Sequence, residues 1–361
     1  MVEPEHLLLL HAILEKNDST ALDYFTRWSR SIDNMNNVDG GSFHLLPLLY
    51  KKLSSIAEPI PYLKQLKGIY RLSLIRNSLL FHKAFSIFEE LKKIDVPVIM
   101  IKSGALAAAY YEDVGAKMMS DVDFLVREED FEKTLRFLKE RGWYSKYGWL
   151  LNRPAKFIHS LCLTNSEGFD LDVHWRAFYQ CPWDSADLAL WDHTEKVVFQ
   201  GETIRILNTT QQMLHNCAQG VPWNAVPSIH WIVDVMKILE KRSGSINWAF
   251  LISESSARNL SLTMWHTLNF LNSEFHADIS DEVLESLKQL PKDIREIRLF
   301  DILTSPTGFG NNLRKKWIIH SFGMGRVSNT KKLLLFTDFL RKDFYQKPAY
   351  LRERIKKWFI S

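Results

Sequence analysis

The chain has 361 residues, 46% of them hydrophobic, and a formal net charge of +4, which marks a globular protein with room for two domain cores. No run of 18 apolar residues could span a membrane and no charged-then-apolar leader pattern opens the chain, so a cytoplasmic location is expected. The three cysteines, Cys162, Cys181 and Cys217, are odd in number and show no CxxC spacing, so neither a disulfide framework nor a zinc site is suggested, and the small net charge does not argue for nucleic acid.

Residues 1 to about 95 read as helical throughout. Glu5 to Glu15, Ser19 to Ile32 and Phe43 to Ile56 space their apolar residues three and four apart, separated by Asn36-Asn37 and Asp39-Gly40-Gly41. Pro47 is expected to kink or restart the third helix. From Pro61 to Lys93 the pattern is longer, with Leu63, Leu66, Ile69, Leu72, Ile75, Leu79, Phe85 and Leu91 forming a wide stripe that should pack against another layer. Within it, Arg76-Asn77-Ser78-Leu79-Leu80-Phe81-His82 resembles the Arg-Asn-x4-His motif of helical HEPN ribonucleases. That resemblance implies a ribonuclease using Arg76 and His82, against the plainer reading of an ordinary helix surface and core.

Val96 to Ile101 is a short β-branched run and predicts a buried strand. It leads into Lys102-Ser103-Gly104 and then the helix former Ala105 to Tyr111, so a small-residue turn should deliver the chain to a helix N-terminus whose free N–H groups suit a phosphate. Ser120-Asp121-Val122-Asp123-Phe124-Leu125-Val126 predicts a second strand. Positions two apart share a face, so Asp121 and Asp123 aim at one point while Val122 and Phe124 face away. Two like charges so placed are best explained by a divalent metal between them.

Lys102 through Val126 resembles the nucleotidyltransferases of the DNA polymerase β superfamily, whose signature is a glycine/serine turn, a helix and an Asp-x-Asp strand. Within that superfamily it is most similar to a family of largely uncharacterised bacterial nucleotidyltransferases. The matching positions are Lys102, the helix to Tyr111, Lys117, Met119, Asp121, Asp123 and Gly142-Trp143. Ser103 stands where glycine is usual, Gly104 comes one place late, and Lys117 replaces an arginine.

Glu128 to Arg141 predicts an amphipathic helix stopped by Gly142. Lys156 to Thr164 and Phe169 to Trp175 predict a hairpin about the turn Asn165 to Gly168. Asp170, Asp172 and His174 alternate onto one face there, and the family resemblance assigns the third carboxylate to Asp172, with Asp170 as fallback and His174 as a neighbour of Asp172 or a structural histidine. From Leu188 the composition is mixed. From Thr209 it is helical again, including His230 to Leu239, whose Trp231 and Asp234 resemble the Trp-x-x-Asp segment of the family's helical domain, and the patterns Leu260 to Leu271, Ser280 to Leu290 and Asp293 to Leu303. The last stretch, 311–361, carries 13 Lys plus Arg against 3 Asp plus Glu. Its end, Leu351 to Ile360, predicts a basic amphipathic helix, docked or solvated, that could also meet an anionic membrane or an acidic partner.

The expected fold is α+β: a helical region over 1–95, a small mixed-sheet nucleotidyltransferase core over 96–200, and a helical domain with a basic tail over 201–361. The resemblance implies transfer of a nucleoside monophosphate, AMP from ATP foremost, to an acceptor hydroxyl or phosphate. It implies two Mg2+ ions held by Asp121, Asp123 and Asp172, with Asp172 assisting deprotonation. Lys102 or Lys117 would neutralise the triphosphate, and Ser103 and Gly104 would cradle it. The reading from another class is a binding or antitoxin-like protein that keeps the fold and works by association.

Overall fold

The computed structural model describes residues 2–32, 34–145, 159–181, 187–221 and 228–305, together with Leu313, Arg314, Trp317, Ile318 and Leu333. The basic helix over 351–360 and most of the basic tail therefore lie outside the described residues, as do 156–158 at the start of the expected hairpin.

Helices α1 (Pro4–Leu14), α2 (Asp18–Ser31), α3 (Gly40–Phe43), α4 (Leu46–Leu53) and α5 (Leu63–Lys93) precede the first strand. Asn17 starts α2 by accepting from the Thr20 N–H, and Pro47 sits in the first turn of α4, where a missing N–H costs nothing. In α5 the buried residues are Leu66, Ser73, Asn77, Leu80, Phe81, Ala84, Ile87 and Leu91. The expected stripe therefore divides: Leu72, Ile75 and Leu79 lie on the opposite side, 62%, 61% and 49% exposed.

Strands β1 (Ile99–Met100), β2 (Val122–Leu125), β3 (Tyr144–Ser145), β4 (Ser160–Thr164), β5 (Asp170–His174), β6 (Thr194–Phe199) and β7 (Glu202–Leu207) form one sheet in the order β3-β4-β5-β2-β1-β7-β6. Between them run α6 (Lys102–Ala109), α7 (Phe131–Glu140) and α8 (Leu188–Asp192). The β4–β5 hairpin turns where expected, Asn165 accepting from the Glu167 and Phe169 N–H groups and Gly168 taking a positive φ. The β6–β7 hairpin was not expected from the mixed composition. Its two-residue turn, Gln200-Gly201, has both φ angles positive, and β7 then pairs in parallel with β1. The exposed side of β6 carries both Lys196 and the apolar Val198, so its sequence shows no clean alternation.

The C-terminal helices are α9 (Thr209–Gly220), α10 (His230–Arg242), α11 (Trp248–Ala257), α12 (Ser261–Phe275), α13 (Asp281–Gln289) and α14 (Ile294–Thr304). The cap of α9 is Asn208, accepting from the Gln211 N–H. One core lies on the sheet face bearing Val122, Phe124, Leu171 and Val173, and is closed by the second half of α5 and by α7. The other includes Ile99, Ile101 and Leu125 and is closed by α1, α2, α4 and helices α9 to α13. Cys181 and Cys217 are buried free thiols, and burial pushes Cys217 up to about 12, consistent with inert structural cysteines.

Candidate active site

The candidate site forms where β2 and β5 run parallel and in register, with Asp123 directly beside Asp172 and Leu125 beside His174. Side-chain alternation sends Val122, Phe124, Leu171 and Val173 into one core, so Asp123, Asp172 and His174 emerge on the other face. His174 is fully buried and Asp123 is 4% exposed. The Nε2 of His174 lies 3.0 Å from Asp123 Oδ1 and 3.1 Å from Asp172 Oδ2, and its Nδ1 has no partner. Donation from Nε2–H to both carboxylates is the tautomer this network requires, so the imidazole clamps the two acids together.

Lys102 completes the group. Its ammonium donates to Asp123 Oδ1 at 2.5 Å and stands 3.7 Å from Asp172 Oδ2. Burial works against its charge, but Asp123 and Asp172 outweigh that and hold the lysine above its usual range. Burial would likewise raise Asp123 and Asp172; Lys102 and His174 overcome it and keep both carboxyls below theirs. Asp121, in the bend just before β2 and not on the expected strand, differs: burial first, then the charge of Asp123, raises it to about 6, although the Ser120 hydroxyl donates to it at 3.0 Å.

The strand-to-helix junction is tighter than expected. Lys102, Ser103 and Gly104 form the first turn of α6 itself, with no side-chain cap on their N–H groups. Lys102 takes a φ of +51°, a left-handed conformation costing a non-glycine residue about 1–2 kcal/mol. Gly104 is needed for packing, since a Cβ there would stand 2.9 Å from the Met100 sulfur on β1. A cavity of about 380 Å3 opens beside Lys102 and Ser103, walled by Asn216 and Gln219 of α9 and by His230, Trp231 and Asp234 of α10.

Lys117 is not at the carboxylates, nor on the surface. It is 5% exposed, and its ammonium donates to Asp234 Oδ2 at 2.7 Å, while the Tyr111 hydroxyl donates to Asp234 Oδ1, also at 2.7 Å. Asp170 starts β5 opposite Thr164 and falls outside the Asp123, Asp172 and His174 group. Arg76 donates to the Ser120 carbonyl, and the buried Asn77 amide donates to the carbonyls of Val114 and Lys117. Both thus brace the loop that ends at Asp121, whereas His82 is exposed. No sequence pattern announced this bracing, because it depends on α5 crossing the loop in space.

The ligand atoms of Asp123, Asp172 and His174 lie within 4.8 Å of one another, a spacing that one metal ion can bridge. The family described as "Uncharacterised nucleotidyltransferase" matches residues 43–276, well over half of the chain. The chain belongs to that family. The matched span runs from the end of α3 to the end of α12, and so contains the sheet, Lys102, Asp121, Asp123, Asp172 and Asp234. An antigenic nucleotidyltransferase-like protein from Paracoccidioides brasiliensis, known from its crystal structure, is similar at 12% identity with a TM-score of 0.37, over 59% of this chain and 94% of that one. No curated protein matches. Among the described residues no helix is long and apolar enough to cross a membrane.

Proposed function

We propose that this nucleotidyltransferase-family protein is a metal-dependent enzyme that moves a nucleoside monophosphate, AMP from ATP foremost, onto a hydroxyl or phosphate of an acceptor. The observation that carries the reading is the in-register pairing that sets Asp123 against Asp172 next to the uncapped first turn of α6. The residues fit the metal: the buried Asp123 and the partly buried Asp172 present hard oxygen donors within bridging distance, and Asp121 stands in the bend just before β2. Asp121, Asp123 and Asp172 would hold Mg2+, which when bound supplies the positive charge that a triphosphate and its departing pyrophosphate need.

The chain's own residues do the rest. Lys102 and the Ser103 hydroxyl, with the N–H groups of Lys102, Ser103 and Gly104, orient the phosphates at the positive end of α6. His174 fixes the rotamers of Asp123 and Asp172 through Nε2–H, a positioning role. Asp172, kept below the usual carboxylate range, is a steady ligand and a weak base. The family resemblance assigns the proton of an acceptor hydroxyl to Asp172.

The test is incubation with Mg2+ and ATP labelled separately at the α and γ phosphates, with cell extract as acceptor pool. Label arriving from the α position is expected. Transfer from the γ position would make the protein a kinase and sink the reading, and retention of both labels on ATP with intact nucleotide binding would favour a binding protein.

A further inference from the structure

The ammonium of Lys102 lies where a divalent ion would sit. It is 2.5 Å from Asp123 Oδ1 and 3.7 Å from Asp172 Oδ2, on the two carboxylates whose oxygens come within bridging distance of each other. An ammonium and a metal ion cannot both occupy that space, and each satisfies the same pair of negative charges. We propose that Lys102 is an exchangeable counter-cation that makes metal binding conditional on nucleotide. Free metal then competes with Lys102 and binds weakly, whereas a metal bound with nucleotide brings phosphate oxygens that give the displaced ammonium a new partner. This rests on the metal-site part of the proposed function and extends it to the order in which ligands are accepted.

Three observations support the exchange. Lys102 borders the 380 Å3 cavity as well as the carboxylates, so its side chain has a second place to go. Ser103 and the uncapped first turn of α6 border that cavity too, and an anion there is favoured by the free N–H groups. Asp234, the carboxylate among the described residues that line the cavity, is already paired with Lys117 at 2.7 Å. It offers Lys102 no alternative until phosphate arrives. By linkage, the factor by which nucleotide tightens metal binding equals the factor by which metal tightens nucleotide binding.

The experiment measures Mn2+ uptake by the full chain from the electron paramagnetic resonance signal of the free ion. Wild type, Lys102→Met and Lys102→Arg are compared with and without the α,β-methylene analogue of ATP, whose own Mn2+ binding is measured separately and subtracted. Lys102→Met should bind Mn2+ alone at least tenfold more tightly than wild type, and the analogue should tighten its binding less than threefold. Wild type and Lys102→Arg should bind Mn2+ alone weakly and gain at least tenfold with the analogue. Lys102→Gln carries the same expectation as Lys102→Met if the latter does not fold. Equal Mn2+ affinity in wild type and Lys102→Met overturns the exchange and leaves the metal site standing; no Mn2+ uptake by any variant overturns both.

Discussion

Replacing Lys117 by Met should destabilise the protein strongly, because it strands the charge of Asp234 in the interior. The pair is buried, with Lys117 at 5% and Asp234 at 2% exposure, and its 2.7 Å separation corresponds to a gross attraction of about 6 kcal/mol at an effective dielectric of about 20. Desolvation offsets much of that in the intact pair, but removing one partner leaves the other's penalty uncompensated, a loss of about 3–5 kcal/mol. For 361 residues, unfolding entropy of about 2.1 cal/mol/K per residue turns that into a fall of about 4–7 °C in Tm. Adding Asp234→Asn removes the stranded charge and keeps an acceptor for the Tyr111 hydroxyl. The double variant should therefore recover to within about 2 kcal/mol of wild type. Urea unfolding followed by tryptophan fluorescence measures all three proteins. A Lys117→Met variant within 1 kcal/mol of wild type would refute the structural role, and a large loss of ATP binding at unchanged stability would return Lys117 to the triphosphate.

Asp172→Asn should cut transfer of α-labelled nucleotide at least a hundredfold while ellipticity stays that of wild type, read by the two-label assay with circular dichroism alongside. Asn77→Ala removes both donations to the Val114 and Lys117 carbonyls and should cost about 2–3 kcal/mol in urea unfolding, with transfer reduced as the loop before Asp121 loosens. His215, fully buried with Nδ1 unpartnered, is lowered to about 3 by burial and then by Lys102 and His174. Its folded pKa lies below the unfolded 6.5, so its contribution is intact above pH 6.5 and is lost as pH falls, by about 1.4 kcal/mol per pH unit until about pH 3. Between pH 7 and 5, His215→Gln should thus gain about 2 kcal/mol on wild type in urea unfolding, and parallel pH profiles for the two proteins would contradict the assignment.

Local chemistry made much of this legible beforehand. The Asn165 to Gly168 turn, Asp123 and the in-phase Asp172 and His174 depend on neighbours in sequence, and they lie in the elements where they were expected, whereas Asp121 falls in the bend before β2 and not on the strand. What was hidden depends on pairs far apart. Whether Lys117 meets phosphate or Asp234 is decided by where α10 packs, 117 residues later. The bracing of the Asp121 loop by Arg76 and Asn77 needs a crossing that no periodicity encodes, and in sequence those residues resembled a ribonuclease motif. The β6–β7 hairpin escaped because its turn, Gln200-Gly201, has glycine only at its second position and its strands carry charge on the exposed side.

Helix α5 is about 46 Å long, and it serves two masters. Leu66 near its start belongs to the core shared with the flanking helices, while Leu80 to Leu91 floor the sheet beneath Phe124 and Val173. A truncated protein starting at residue 96 would thus be born with its underside bare, and should aggregate. The same rod ties the amino-terminal helices to the sheet that carries the carboxylates.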